Sequence, residues 1–368
     1  MKIGIDVSQI VYGTGVSRYT EELVKNLVRI DSNNQYILFF SSLRQKIFNF
    51  QFSIFNKNVI IKNFKLPPTL LDLLWNRWHV VDIENFMGQI DIFHSSDWTQ
   101  PPAKAKKVTT VHDVSFLRYP ESFPQKIIEV HQRRLKWVKK ECDRVIVDSR
   151  TTKDDLVRLL GFNEKRIRVV YLGVDKLKVQ SAKLKVKEGN YFLYIGTLQP
   201  RKNLLRLIRA FGEIRDREGV KLVIGGKKGW LYEEIFEEVK RLNLQDKVIF
   251  KGFVSEEEKI SLMQNALAFV YPSLYEGFGM PVLEAMSAGC PVITSNISSL
   301  PEVAGKAALL VNPHKTEEIV SAMKKVMIDS ALRRELSEKG RKQANKFTWK
   351  KTAQETLKVY QELYDYRD

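Results

Sequence analysis

Two glutamates eight residues apart, Glu276 and Glu284, bracket a glycine turn built from Gly277, Phe278 and Gly279, and Pro281 follows at once. The run Ala266 to Tyr271 before them reads as a buried strand, and Pro281 suits the first turn of a helix. Glycines at such a turn let the backbone approach a ligand closely. The helix start then offers amides and the positive end of its dipole to an anion such as phosphate. Glu276 is placed to face a ligand over the turn, while Glu284, about a turn inside the helix, reaches hydroxyls beside it. A tight connection carrying two solvated carboxylates is the plainer account of the same residues.

Other groups with chemical potential also fall just after apolar runs. Arg201 and Lys202 follow the run Tyr191 to Ile195 at the start of a helical pattern, where Arg can hold a diphosphate bidentately and Lys acts as a point charge. His112 follows Val108 to Val111. A histidine at a strand end is as readily a satisfied structural group as a functional one. Gly13 and Gly15 follow the first run, Ile3 to Val7, and open a helix over about 16–30, with Arg18 on its first turn. Gly225, Gly226 and Phe253 end two further runs in the second half.

The elements that must position these groups are strands alternating with helical or loop segments, which predicts parallel sheets covered on both faces. In such sheets ligands bind beyond the carboxyl ends of the strands, where the residues above lie. At 368 residues the chain is long enough for two domains. The pattern restarts at Tyr191, so the domains are expected at 1–175 and 190–348, with a lysine-rich connection over 176–189. A net charge of +17 implies an anionic partner, whether nucleic acid, membrane surface or phosphorylated small molecule. No run approaches a transmembrane span and no signal-peptide pattern appears, so a cytoplasmic protein is expected. Cys142 and Cys290 sit in apolar contexts that suit buried free thiols.

The stretch Tyr271 to Pro291, continued by Pro291-Val292-Ile293-Thr294-Ser295 and by Ser299 to Gly305, resembles the Glu-x7-Glu signature of retaining nucleotide-sugar glycosyltransferases of family 4. Thr110-Val111-His112-Asp113 with Phe116 and Pro120-Glu121 is similar to that family's His-Asp region. The resemblance implies an α/β fold of GT-B architecture, two Rossmann-like doubly wound domains facing across a cleft, with the last helix, 349–368, packing back on the first. It also implies metal-free transfer from a nucleotide sugar with retained configuration. On it, Glu284 would bind the ribose hydroxyls, Glu276 the sugar hydroxyls or the developing charge, and His112 the sugar near the reacting carbon. Gly277, Phe278, Gly279 and Met280 would supply amides, Arg201 and Lys202 would hold the diphosphate, and Gly15, Thr197, Phe253 and Leu283 would line the donor site. Two departures stand out: Thr197 where many members have arginine, and Gly-Thr-Gly in the first loop where a Gly-Gly pair is frequent.

No Asp-x-Asp and no His/Cys cluster offers ligands for a metal, so no cofactor is expected. The resemblance is closest to bacterial mannosyl- and rhamnosyltransferases of lipopolysaccharide or exopolysaccharide synthesis, which makes GDP-mannose the first choice of donor and a glycan or lipid-linked acceptor the partner. The alternatives are a UDP-sugar transferase acting on a lipid acceptor, a nucleotide-sugar epimerase, and a silent binder. Nucleic acid is not an expected partner, because no aromatic stacking platform or recognition helix accompanies the charge. Two stretches point to a membrane-proximal acceptor. Pro67 to Met87 is strongly apolar and reads as core or as an exposed lip. The segment 126–142 places Lys126, Arg133, Trp137 and Lys140 on one helical face, suited to anionic lipid head groups and peripheral association.

Overall fold

The structure, a computed structural model, describes residues 1–45, 58–175, 189–215 and 219–365. These form two compact units, one of Met1–Leu117, Gln125–Gly173 and Thr348–Asp368, the other of Arg118–Pro124 and Val174–Phe347. The expected connection lies, over 176–188, outside the described residues.

The first unit is built on a parallel sheet of β1 (Lys2–Asp6), β2 (Gln35–Ser41), β3 (Val59–Phe64), β4 (Ile92–Ser95), β5 (Lys106–Val111), β6 (Arg144–Val147) and β7 (Ile167–Val169). Its order is β3-β2-β1-β4-β5-β6-β7, so the direction of winding reverses between β1 and β4. That reversal opens a crevice at the carboxyl ends of the two strands. Runs such as Tyr36 to Phe40 are wholly buried because helices cover both faces. The helix Gly15–Ile30 begins after Thr14, whose amide donates to the Ser17 hydroxyl at 3.2 Å. It packs against the C-terminal helix Trp349–Asp365, and Tyr360 of that helix lies 2.6 Å from His94 Nδ1.

The apolar stretch Pro67 to Met87 turns out to be both core and surface. Leu71, Trp75, Ile83 and Met87 join Phe39 and Phe93 in one buried cluster, whereas Trp78, Val80 and Val81 are exposed. A π-helical turn, Asp72–Arg77, followed by left-handed backbone at His79 and Val81, redirects the chain between the two environments. The same turn corrects the reading of the basic helix, Gln125–Glu141. Arg133 pairs with Asp72 at 2.9 Å, and Trp137 stacks on His79 at 3.6 Å while donating to the Asn76 carbonyl at 2.9 Å. Both therefore serve packing within the unit. The side chains of that helix left exposed include Lys126, Lys136, Lys139 and Lys140.

The second unit carries β8 (Tyr191–Ile195), β9 (Lys221–Gly225), β10 (Val248–Gly252), β11 (Ala268–Tyr271), β12 (Val292–Ser295) and β13 (Leu309–Val311), all parallel. The order β10-β9-β8-β11-β12-β13 reverses between β8 and β11. Gly226, just past β9, has φ +140°, and a Cβ there would lie 1.9 Å from the Gly196 carbonyl oxygen. Gly226→Ala is expected to cost about 3 kcal/mol or more, since forbidden backbone and a clash with main chain combine. Urea unfolding, compared with Gly219→Ala, checks this: Gly219 shares the positive φ but has nothing within 4 Å of its Cβ position. Cys142 and Cys290 are buried free thiols.

Candidate functional site

In the second unit the crevice between β8 and β11 brings Arg201, Lys202 and Glu276 together. Asn203, in left-handed backbone at φ 62°, fixes the loop after β8 by donating to the carbonyls of Pro272 and Pro313 at 3.0 and 2.7 Å. Asn tolerates that conformation better than most residues. Lys202 is buried, and its Nζ reaches Glu276 Oε1 at 2.5 Å and the Tyr271 hydroxyl at 2.8 Å. Ser273 donates to the same Glu276 oxygen at 2.6 Å. Arg201 lies 3.4 Å from Glu276 Oε2 and donates to the Tyr275 carbonyl at 2.8 Å. Burial alone would raise the Glu276 carboxyl, but the Lys202 and Arg201 charges and these hydrogen bonds bring it down to about 2. It is an anion at neutral pH, held by two cations that bring a net positive charge to the crevice.

The turn that follows is fixed from beneath. The Ser298 hydroxyl accepts from the Glu276 amide at 3.0 Å and sits 2.7 Å from its carbonyl, and the Ser299 hydroxyl lies 2.9 and 2.8 Å from the carbonyls of Glu276 and Phe278. Gly279 takes φ +108° against Leu300 and caps the helix Met280–Ala288, whose Pro281 carries no N–H and whose Val282 and Leu283 amides donate to the Gly279 carbonyl at 3.0 and 3.3 Å. Glu284, on that helix, is buried and pairs with Lys259 at 3.1 Å. Neither glutamate is the solvated side chain of the plainer account. Leu283 is fully buried and Phe278 nearly so, packing edge-on against Phe347 at 5.8 Å. Thr197 is exposed, its carbonyl accepting from the Tyr194 hydroxyl at 3.3 Å. Phe253 is 71% exposed, and the Lys227 ammonium lies 5.4 Å from the centre of its ring.

In the first unit His112 caps the end of β5, and its Nδ1 lies 2.7 Å from Asp148 Oδ2 at the end of β6. Tyr19 meets the imidazole edge-on at 4.6 Å and is itself held by Thr110 at 2.8 Å. Burial pushes the imidazole down and Asp148 up, but their contact favours charge separation. We place the proton on His112, which the Asp148 carboxylate raises to about 9. His112 Nε2 is buried and has no hydrogen-bond partner among the described residues. Gly15 is exposed at its helix start. No group of three or more His, Cys, Asp or Glu side chains able to hold a metal occurs among the described residues. No helix among them is long and apolar enough to cross a membrane.

Sequence reading missed Asp148, Lys259, Ser273 and the Ser298-Ser299 pair. For Asp148 a signal exists: Val111 and Val147 are paired in the parallel register of β5 and β6, so the residues after them are neighbours. Lys259 and the Ser298-Ser299 pair come from segments whose approach no local pattern announces, whereas Ser273 lies in the same loop as Glu276.

Comparison with known proteins places the chain among glycosyltransferases. Residues 13–176 match the family described as Glycosyltransferase Family 4, and residues 175–343 that described as Glycosyl transferases group 1. The chain is 28% identical to O-antigen chain mannosyltransferase B of Escherichia coli, covering 99% of this chain and 100% of the relative. It is 32% identical to the O-antigen chain mannosyltransferase RfbU of Salmonella typhimurium, covering 73% and 74%. Among solved structures it resembles sucrose-phosphate synthase from Thermosynechococcus elongatus, with TM-score 0.78 and 20% identity over the whole of both chains. Anabaena HepE in complex with UDP and glucose gives TM-score 0.73 at 17% identity, covering 98% of this chain and 100% of that one.

Proposed function

We propose a specific reaction for this chain, which belongs to the group 1 and family 4 glycosyltransferases: transfer of mannose from GDP-mannose to a glycan or lipid-linked acceptor of a cell-surface polysaccharide, with retention. The observation that carries it is the buried Lys202–Glu276 pair, with Arg201 beside it, at the switch point of the second sheet. The names of the two O-antigen mannosyltransferases favour mannose.

In this reading Arg201, Lys202 and the backbone amides of Gly279 and Met280 at the helix start take up the charge of the departing diphosphate. The bond from the anomeric carbon to the β-phosphate oxygen breaks as the acceptor oxygen bonds to the same face of that carbon. The acceptor proton passes to the leaving phosphate oxygen. Glu276 stays ionised and supports positive charge at the sugar, His112 donates through Nε2 to a sugar hydroxyl, and Glu284 binds the ribose. No metal is required. Peripheral contact with anionic membrane would fall to the exposed lysines 126, 136, 139 and 140, since Arg133 and Trp137 are engaged within the unit.

The test is a transfer assay with GDP-mannose and polysaccharide-repeat acceptors, run with EDTA. Glu284→Ala is expected to raise the donor KM about tenfold or more with little change in kcat, as removal of a ground-state contact does. An unchanged donor KM would take Glu284 out of the site. Loss of wild-type activity in EDTA, restored by Mg²⁺ or Mn²⁺, would reject the metal-free mechanism.

A further inference from the structure

Thr110 and His112 are two residues apart at the end of β5, so both side chains leave the same face of the sheet. On that face Thr110 is the centre of a hydrogen-bonded chain. Its Oγ1 lies 2.8 Å from the Tyr19 hydroxyl and 3.0 Å from His94 Nε2, and the other ring nitrogen of His94 is 2.6 Å from the Tyr360 hydroxyl. The four groups come from four elements: Tyr360 from the C-terminal helix Trp349–Asp365, His94 from β4, Thr110 from β5 and Tyr19 from the helix Gly15–Ile30. All four are buried. A cavity bordered by Tyr19, His94, Thr110 and His112 measures about 10 Å³, room for one water at most, so the rings have little freedom to turn. Tyr19 then meets the His112 ring at 4.6 Å with the two planes 80° apart, a contact whose energy depends on orientation. Trp349 packs on Tyr19 at 6.4 Å, which gives the C-terminal helix a second hold on that ring.

None of the four groups carries charge. Burial pushes both phenols up, and burial together with the His112 and Arg134 charges pushes His94 down to about 3. A neutral imidazole donates from one nitrogen and accepts at the other, which suits a chain with a hydroxyl at each side. The charge on His112 is set instead by Asp148, with smaller effects of Asp97 and Asp113. The chain therefore acts on His112 through geometry. The hydrogen bond from Nδ1 to Asp148 leaves the ring free to rock about it, and the fixed Tyr19 ring removes that freedom. We infer that Tyr360, His94, Thr110 and Tyr19 are positioning residues that fix the direction of His112 Nε2, so that the C-terminal helix takes part in aiming it. The inference rests on the role given to His112 in the proposed transfer, though the coupling itself is a property of this unit alone.

Nuclear magnetic resonance of the full chain with labelled histidine, assigned with His112→Ala and read alongside transfer kinetics, tests it. Tyr360→Phe removes one hydroxyl at the far end of the chain, and Thr110→Val breaks its centre while keeping the side chain's shape. Both should shift and broaden the His112 ring resonances and lower kcat by about three- to tenfold with donor KM unchanged, as loss of one hydrogen bond would. Thr110→Ser, which keeps the hydroxyl, should recover most of the wild-type resonance position and rate. Val359→Ala trims a buried neighbour of Tyr360 on the same helix and should lower stability without altering the His112 resonances. His112 resonances unchanged in both Tyr360→Phe and Thr110→Val, or shifted as far by Val359→Ala, overturn the inference. A wild type that transfers no sugar, but whose His112 resonances follow Tyr360 and Thr110, would support the coupling and count against the transfer reading alone.

Discussion

Replacing Lys202 by methionine is expected to lower turnover by about 10²–10³ and to destabilise the second unit by about 3–5 kcal/mol. The two effects have separate origins. Lys202 Nζ is the cation closest to the Glu276 carboxylate, at 2.5 Å, and its removal leaves a buried anion with Arg201 as a weaker partner at 3.4 Å. Turnover is expected to fall because, on the proposed mechanism, the lost charge is one that meets the departing diphosphate. Adding Glu276→Gln to Lys202→Met should restore most of the stability, since no uncompensated charge remains, without restoring turnover. Urea unfolding and single-turnover kinetics on the three variants read the two quantities apart. The wild type also carries a pH signature. A carboxyl lowered from 4.5 to about 2 contributes stability that is present above pH 4.5 and drains away as pH falls toward 2. That loss should be smaller in the double variant.

His112→Ala is the second large effect, an expected fall in kcat of about 10²–10³ if, as proposed, its Nε2 donates to a sugar hydroxyl. The supporting geometry is a fixed imidazole: Nδ1 is held by Asp148, the ring edge by Tyr19, and Nε2 is left without a partner among the described residues. Its protonation is checked directly by nuclear magnetic resonance titration of the ring. The imidazole should stay protonated until about pH 9, and fall well below that in Asp148→Asn. The sign follows from the raised value: stability from this pair is complete below pH 6.5 and disappears as pH rises through about 9. A ring titrating near 6.5 in the wild type would mean that Asp148 does not control it.

What the sequence made legible was local. The glycine turn after Glu276, the Arg201-Lys202 pair at a helix start and the strand ends all announce themselves through residue type and spacing, because backbone geometry demands them there. The burial of Glu276 and Glu284 was not legible, since it depends on Lys202 and Lys259 arriving from other elements. The basic helix was misread for the same reason. A helical wheel sees one helix, whereas Arg133 and Trp137 are claimed by Asp72, Asn76 and His79 on a π-helical turn and the left-handed residue beyond it, which no periodicity predicts.

The central claim, that the crevice between β8 and β11 holds a nucleoside diphosphate, is tested most directly by thermal stabilisation with GDP, UDP, ADP and dTDP in the presence of EDTA. The wild type should be stabilised selectively by GDP, and Lys202→Met should lose that response. No stabilisation by any of the four nucleotides, or an undiminished response in Lys202→Met, would contradict it.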